Sequence, residues 1–220
     1  MEKKEFYRHQ LPHFQVPGQI IFVTWCLKSA VPLKALETHK RQLMNLKSEI
    51  LFAQQSAKDA QMIEHLKMQY RIARKKYVKA FDDLLDLNKD LTVDLSAPAC
   101  VEILKETLLF YEASKIENFA FCIMPTHVHW VFRTFEDGGD GNPVYVQDIL
   151  QSVKRFSSNR INKAIGRTGT LWQKESFDTT IRDEKHLWAA MEYTLNNPVK
   201  AGLVSSPEEW SGNWVQRSNG

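Results

Sequence analysis

Apolar positions along this chain follow two different rhythms, and each rhythm predicts a different kind of element. Ile20-Ile21-Phe22-Val23-Thr24-Trp25-Cys26, entered through Gly18-Gln19, is a nearly unbroken apolar run, which reads as a first, well-buried strand ending near Pro32. From Val31 onward there is no glycine until Gly138 and no proline between Pro32 and Pro98, so a long helical stretch is expected. Leu43, Leu46, Ile50, Ala53, Ala57 and Ala60 recur at steps of three and four, and Leu66, Tyr70, Ala73, Tyr77, Ala80, Leu84 and Leu87 do so in a shifted frame. One helix over about residues 36–87 would extend about 75 Å, well beyond a compact domain of this size. The frame shift therefore predicts two antiparallel helices joined near Gln54–Gln61, with a protruding, dimerising coiled coil as the alternative.

Ser96-Ala97-Pro98 opens the next predicted helix, with Ser96 as N-cap and Val101, Leu104, Leu108 and Phe110-Tyr111 as its apolar face. Two strand-like segments, 117–124 and 127–134, flank Pro125-Thr126, and the acidic, glycine-rich stretch 136–143 reads as a loop. Residues 144–165 predict an amphipathic helix with Ile149, Val153, Phe156 and Ile161 inward. Gln151, Lys154, Arg155, Ser158 and Asn162 share its polar side, and Gly166 and Gly169 end it. Leu171–Gln173 and Phe177–Arg182 look extended, and Asp183 is an N-cap for a helix over about 184–196. Pro198 disfavours helical geometry at Asn197 and so puts Asn197 at that helix's end. This order of elements predicts an α+β domain with an antiparallel sheet.

Composition narrows the class. A chain of 220 residues that is 43% hydrophobic can bury a real core. It contains no apolar run near the roughly 20 residues that span a bilayer, and its first residues lead into no apolar signal core, so a soluble cytoplasmic protein is expected. Cys26, Cys100 and Cys122 are scattered and odd in number, which predicts buried free thiols rather than disulfides or zinc ligands. The net charge of +3 is mild, but its distribution is not: residues 67–79 carry Lys67, Arg71, Arg74, Lys75, Lys76 and Lys79 with no acid. Residues 154–167 carry Lys154, Arg155, Arg160, Lys163 and Arg167, again with none. Each run is either a solvated helix face or a contact for a polyanion.

Candidate chemistry lies in His127-Val128-His129 and in Tyr193-x-x-x-Asn197-Pro198. Side chains at i and i+2 of a strand point the same way, so the two imidazoles can converge on one divalent cation while Val128 packs behind them. Tyr193 and Asn197, four apart on a helix, present a phenol and an amide oxygen on one side, and the carbonyl can serve as a third ligand. Each motif alone is weak. Two histidines on a strand are commonly packing residues, a lone tyrosine is commonly core, and Asn-Asn-Pro is a helix stop.

Taken with Leu11-Pro12-His13-Phe14, Pro17-Gly18, Phe22-Val23-Thr24, Met124–His129, Leu171-Trp172-Gln173, Phe177-Asp178, Ile181-Arg182 and Asn196–Val204, these motifs stand in an order and spacing that resembles the single-tyrosine HUH transposases, in their REP-associated tyrosine transposase branch. Residues 33–95 are covered least well. The resemblance implies a single domain over 1–220 with 33–95 as a helical elaboration after the first strand. It implies a ferredoxin-like βαββαβ core and a C-terminal helix bearing the tyrosine. It further implies a metal-dependent endonuclease and strand transferase in which Tyr193 forms a 5′-phosphotyrosine on single-stranded DNA beside REP-like hairpins, leaving a free 3′-OH. His127, His129 and Asn197 would hold Mg²⁺ or Mn²⁺. With a polyanionic substrate, Lys154, Arg155 and Asn162 on the polar helix face, together with Arg182, are expected to touch DNA. A monomer or homodimer associated with the nucleoid is expected. The chain departs from the pattern at Asp178-Thr179, where many relatives carry an acid followed by histidine; Asp178 orients a metal ligand or caps a turn, and His186 is a distant substitute for the missing imidazole. Two other functions stay open on sequence: a domesticated hairpin-binding protein that no longer turns over, and a metal phosphodiesterase that activates water while Tyr193 is structural.

Overall fold

The computed structural model describes residues 6–8, 12–14, 16–31, 33–56, 59–87 and 92–216. Leu11, Pro32 and Ala57, used in the sequence reading, lie outside the described residues. The chain forms two compact units, one from Met1–Lys28 and Asp90–Gly220, the other from Ser29–Lys89.

The smaller unit is the predicted helical hairpin. Helix α1 (Glu37–Gln55), entered through a 3₁₀ turn at Leu33–Leu36, packs against α2 (Ala60–Leu87). The join falls within the expected window, so the frame shift marked a real change of direction. The buried stripe of α2 differs in its second half: it runs Ala73, Tyr77, Phe81 and Leu85, a strict period of four, rather than through Ala80 and Leu84.

In the larger unit, β1 (Phe6–Arg8) pairs antiparallel with β2 (Pro12–Phe14) as a small ribbon. The main sheet has the order β6-β3-β5-β4-β7, from β3 (Ile20–Cys26), β4 (Ile116–Ile123), β5 (His127–Thr134), β6 (Phe177–Thr180) and β7 (Asn213–Val215), every pairing antiparallel. Helix α3 (Pro98–Leu109) lies between β3 and β4 in sequence, and α4 (Val146–Ala164) between β5 and β6. Strands β3, β4, β5 and β6, which stand in the order 4-1-3-2 when counted among themselves, with α3 leading into β4 and α4 leading into β6, make the ferredoxin-like βαββαβ core. Helix α5 (Glu184–Lys200) follows it.

The two faces of the sheet have separate tasks. Trp25, Trp130 and Phe132 project to one face, where Trp172 joins the aromatic cluster and donates through Nε1 to Ser157 of α4 at 3.1 Å. The other face carries Ile20, Phe22 and Val131, and α5 covers it through Leu187, Ala190 and Met191. Central strands covered on both sides must be apolar almost throughout, which is why β3 and β5 show little alternation.

Three local expectations are corrected. Ala97, not Ser96, stands at the N-cap of α3; the Ser96 hydroxyl is held by Asp94 Oδ1 in a tight turn. Phe156 is 52% exposed rather than inward, because α4 turns Val153, Ser157 and Ile161 to the sheet. Helix α5 does not stop at Asn197: Pro198 sits inside it, and the last turn continues through Ala201 N to Asn197 O (2.9 Å) and Leu203 N to Pro198 O (2.9 Å). A proline near a helix end removes one donor but leaves these later bonds intact. The three cysteines are free and buried as expected, and burial raises the thiol of Cys26 to about 12. Among the described residues no helix is long and apolar enough to cross a membrane.

Candidate metal and nucleophile site

His127 and His129 begin β5, and the register places them beside Cys26 and Thr24 of β3. Because side chains alternate, both imidazoles share the face covered by α5, and Val128 is fully buried on the other. Their Nε2 atoms face each other at 3.0 Å. Their Nδ1 atoms are each taken by a threonine hydroxyl, Thr126 Oγ1 for His127 and Thr24 Oγ1 for His129, both at 2.8 Å. If Nδ1 carries the proton and donates it to threonine, each Nε2 lone pair is directed at the common point between the rings. Burial is the first cause that pushes both imidazoles well below their usual range. Lys200 adds to this at both rings and His127 adds to it at His129, whereas the Asn197 amide acts the other way. Both rings are therefore neutral, the form that binds metal.

Helix α5 delivers the rest. Asp183 caps it, its carboxylate accepting from His186 N at 2.8 Å, and Ala190, Thr194, Asn197 and Pro198 form the buried stripe. Asn197 Oδ1 is buried beside both imidazoles, on which it acts, but makes no hydrogen bond of regular geometry. An unmet buried acceptor costs about 1–3 kcal/mol, so a native chain that keeps one invites a search for what satisfies it. Tyr193, one turn earlier, sets its ring 5.4 Å from that of His129 and 5.8 Å from that of Phe22, edge-on to both, while the Lys200 ammonium stands 5.8 Å from its centroid. Phe22 in turn stacks on His129 at 5.7 Å. Phenol, imidazoles and amide thus form one cluster.

These residues fit a divalent cation. Two imidazole nitrogens 3.0 Å apart beside a neutral amide oxygen are a donor set that would suit such an ion, and without one the same nitrogens close as an N–H···N bond. Among the described residues no three His, Cys, Asp or Glu side chains gather to hold a metal, so a third protein ligand here would be the neutral Asn197 oxygen.

Other expected site residues fall elsewhere. Asp178 pairs with Val23, so it projects to the face opposite the histidines and is not positioned to orient them; Thr24 and Thr126 hold the imidazoles instead. Thr179, at the position where relatives have histidine, pairs with Phe22 on the site face. His186 accepts from Arg182 N at 3.4 Å at the start of α5. Lys154 is not a solvent-facing cation. Its ammonium donates to the carbonyls of Gln173 (3.2 Å), Lys174 (3.4 Å) and Glu175 (3.4 Å) and to Ser176 Oγ (2.7 Å), and burial lowers its pKa to about 8 against the pull of Cys26 and Glu175. Asn162 closes the turn after α4, donating to Gly169 O at 2.8 Å and accepting from Arg167 at 3.0 Å. Arg155 and Arg182 are exposed. The sequence reading assigned no role to Thr24, Thr126 or Lys200, although a threonine inside the apolar run of β3 and a lysine seven residues after Tyr193, on the same helix face, were visible signals.

No family model matches this chain. A solved structure described as "Structure of the REP associates tyrosine transposase bound to a REP hairpin" superposes with a TM-score of 0.48 at 16% identity, over 97% of this chain and 82% of that one. A curated protein of Haemophilus influenzae named "Putative REP-associated tyrosine transposase" is 28% identical over 103 residues, 43% of this chain. The match spans just over half of that relative, 56% of its length. The resemblance carried by the motifs is thus found again by direct comparison: this chain is similar to a REP-associated tyrosine transposase.

Proposed function

We propose that this chain is a metal-dependent endonuclease and strand transferase of single-stranded DNA, with Tyr193 as its nucleophile and target sites beside DNA hairpins. The observation that carries the reading is the meeting of two facing imidazole nitrogens, an orphaned amide oxygen and a phenol ring on one side of the sheet. The phenol of Tyr193 gives up its proton to solvent as its oxygen attacks the scissile phosphorus; the new P–O bond forms as the bond to the 3′ oxygen breaks, and that oxygen takes a proton back from solvent to leave as a 3′-OH. The bond energy is kept in the 5′-phosphotyrosine, so reversal onto another 3′-OH joins strands without a nucleotide cofactor. Mg²⁺ or Mn²⁺ held by His127, His129 and Asn197 would supply Lewis-acid charge neutralisation at the phosphate. Phe22 and His129 fix the plane of the Tyr193 ring, and Lys200 adds positive charge beside it.

The test is to incubate the protein with Mn²⁺ and labelled single-stranded hairpins from the flanks of its own gene. A covalent adduct that survives denaturation and maps to the Tyr193 peptide is expected. Cleavage without an adduct would instead identify a water-activating phosphodiesterase, and binding without cleavage a silent hairpin-binding protein. Asn197→Ala should lower the cleavage rate by about tenfold to a hundredfold, since water can replace a neutral ligand while both imidazoles stay; single-turnover rates measure this. A loss as large as that of the histidine variants would mean that Asn197 does more than complete the ligand set.

Backbone phosphates fall to Arg155 and Arg182, and in the helical hairpin to exposed Arg71, Lys75 and Lys76. Lys154→Met should therefore leave the salt dependence of DNA binding unchanged but destabilise the fold by about 1–3 kcal/mol, because it strips the donor from the carbonyls of residues 173–175. Arg155→Ala should flatten the salt slope by about 0.7 with no comparable loss of stability. Thermal melts and salt titrations of the two variants separate these outcomes, and a flattened slope for Lys154→Met would return that residue to the DNA interface.

A further inference from the structure

Lys200 stands on one line of α5 with Tyr193 and Asn197, at steps of four and three along the helix. Asn197 is buried, Tyr193 half-buried and Lys200 exposed, so the ammonium lies where the cluster meets solvent. Its Nζ is 5.8 Å from the centroid of the Tyr193 ring, and its charge acts on both imidazoles, where among the described residues no carboxylate offsets it. A lysine in the last turn of a helix ordinarily complements the negative end of the dipole. That role requires no approach to a phenol or to two histidines.

Charge balance identifies the partner. His127, His129 and Asn197 would bring no negative charge to a cation, and Asp178 of β6 projects to the opposite face of the sheet. A divalent ion at the imidazoles would therefore add its two positive charges to that of Lys200. Like charges this close repel unless an anion comes between them. A phosphodiester is such an anion, and attack by the phenol places further negative charge on its nonbridging oxygens in the transition state. The ammonium of lysine, a compact charge on a flexible stem, can follow those oxygens as the phosphorus rearranges. Resting on the single-stranded DNA reading above, we propose that Lys200 contacts a nonbridging oxygen of the phosphate that Tyr193 addresses, which makes the DNA itself the counter-anion of the cation site.

The contact can be deleted from either side. Hairpins from the flanks of the gene, each carrying one uncharged methylphosphonate link at a different position, are titrated by anisotropy against the full chain in EDTA, where cleavage is silent. One lysine–phosphate contact contributes roughly fivefold in affinity at about 0.1 M salt, so neutralising the right link should cost the parent about that factor. Lys200→Met should cost the same on the unmodified hairpin, and Lys200→Arg should retain most of the affinity. The two deletions together should cost no more than either alone, and the coupled link should be the one at which the unmodified hairpin forms its adduct. In the DNA-free chain Lys200→Met should instead tighten Mn²⁺ by about two- to tenfold in calorimetric titrations, because a repelling charge is gone. Opposite signs for DNA and metal are what a merely structural lysine would not produce, so a loss of both affinities overturns the proposal. Additive costs at every link overturn it as well. Coupling without an adduct would sink the nuclease reading and keep the phosphate contact, and an adduct at an uncoupled link would do the reverse.

Discussion

Tyr193→Phe is expected to remove covalent adduct and strand cleavage together, by on the order of 10⁴-fold or more, the scale seen when a nucleophile is deleted. The reason is stoichiometric. Among the clustered residues, only the phenol can both attack phosphorus and later leave, whereas His127 and His129 are turned toward each other and Asn197 offers a neutral amide. Phenylalanine keeps the edge-on packing against Phe22 and His129 and the ring beneath Lys200, so a melting temperature close to that of the parent and nearly unchanged hairpin binding should accompany the loss. Those two controls give the result its meaning. Cleavage that persists in the phenylalanine variant removes Tyr193 from the mechanism and leaves the cluster as a site for activating water.

How much of this was legible depended on whether a local pattern had one physical solution. His127-Val128-His129 did, because a strand can only alternate, and the α5 ring of Tyr193 arrived on the same face because Leu187, Ala190 and Met191 repeat at helical spacing. The hairpin in Ser29–Lys89 was legible from a shift of frame, since one straight helix would outrun the domain. Tertiary structure decided the rest. Asn197-Pro198 reads locally as a stop, yet the helix runs on because its final carbonyls are met by Ala201 and Leu203. Lys154 reads as a surface cation, yet a loop 19 to 22 residues later wraps its ammonium with carbonyls. Asp178 belongs to the resemblance blocks, but strand register turns it away from the histidines. Strand β7 is three residues long and shows no periodicity to read; only its pairing with β4 reveals it.

The metal prediction carries the second large effect and can be read without DNA. If the facing imidazoles and the orphaned amide form a cation site, Mn²⁺ at a hundred times its dissociation constant should stabilise the metal-free chain by about 2.7 kcal/mol. For a chain of this size that corresponds to a rise of about 5–11 °C in melting temperature. His127→Ala and His129→Ala should each abolish the rise, because one imidazole and a neutral amide oxygen hold a hydrated cation poorly, and EDTA should silence cleavage by the parent. Both substitutions will also lower the metal-free melting temperature, since each leaves a buried threonine hydroxyl, Thr126 or Thr24, without its ring nitrogen. The decisive quantity is therefore the increment on adding Mn²⁺ rather than the absolute value. Asn197→Ala should keep part of that increment, which separates a third ligand from an essential one. An increment that survives in His129→Ala would place the cation elsewhere, and undiminished cleavage in EDTA would leave the imidazole pair with a purely structural N–H···N contact.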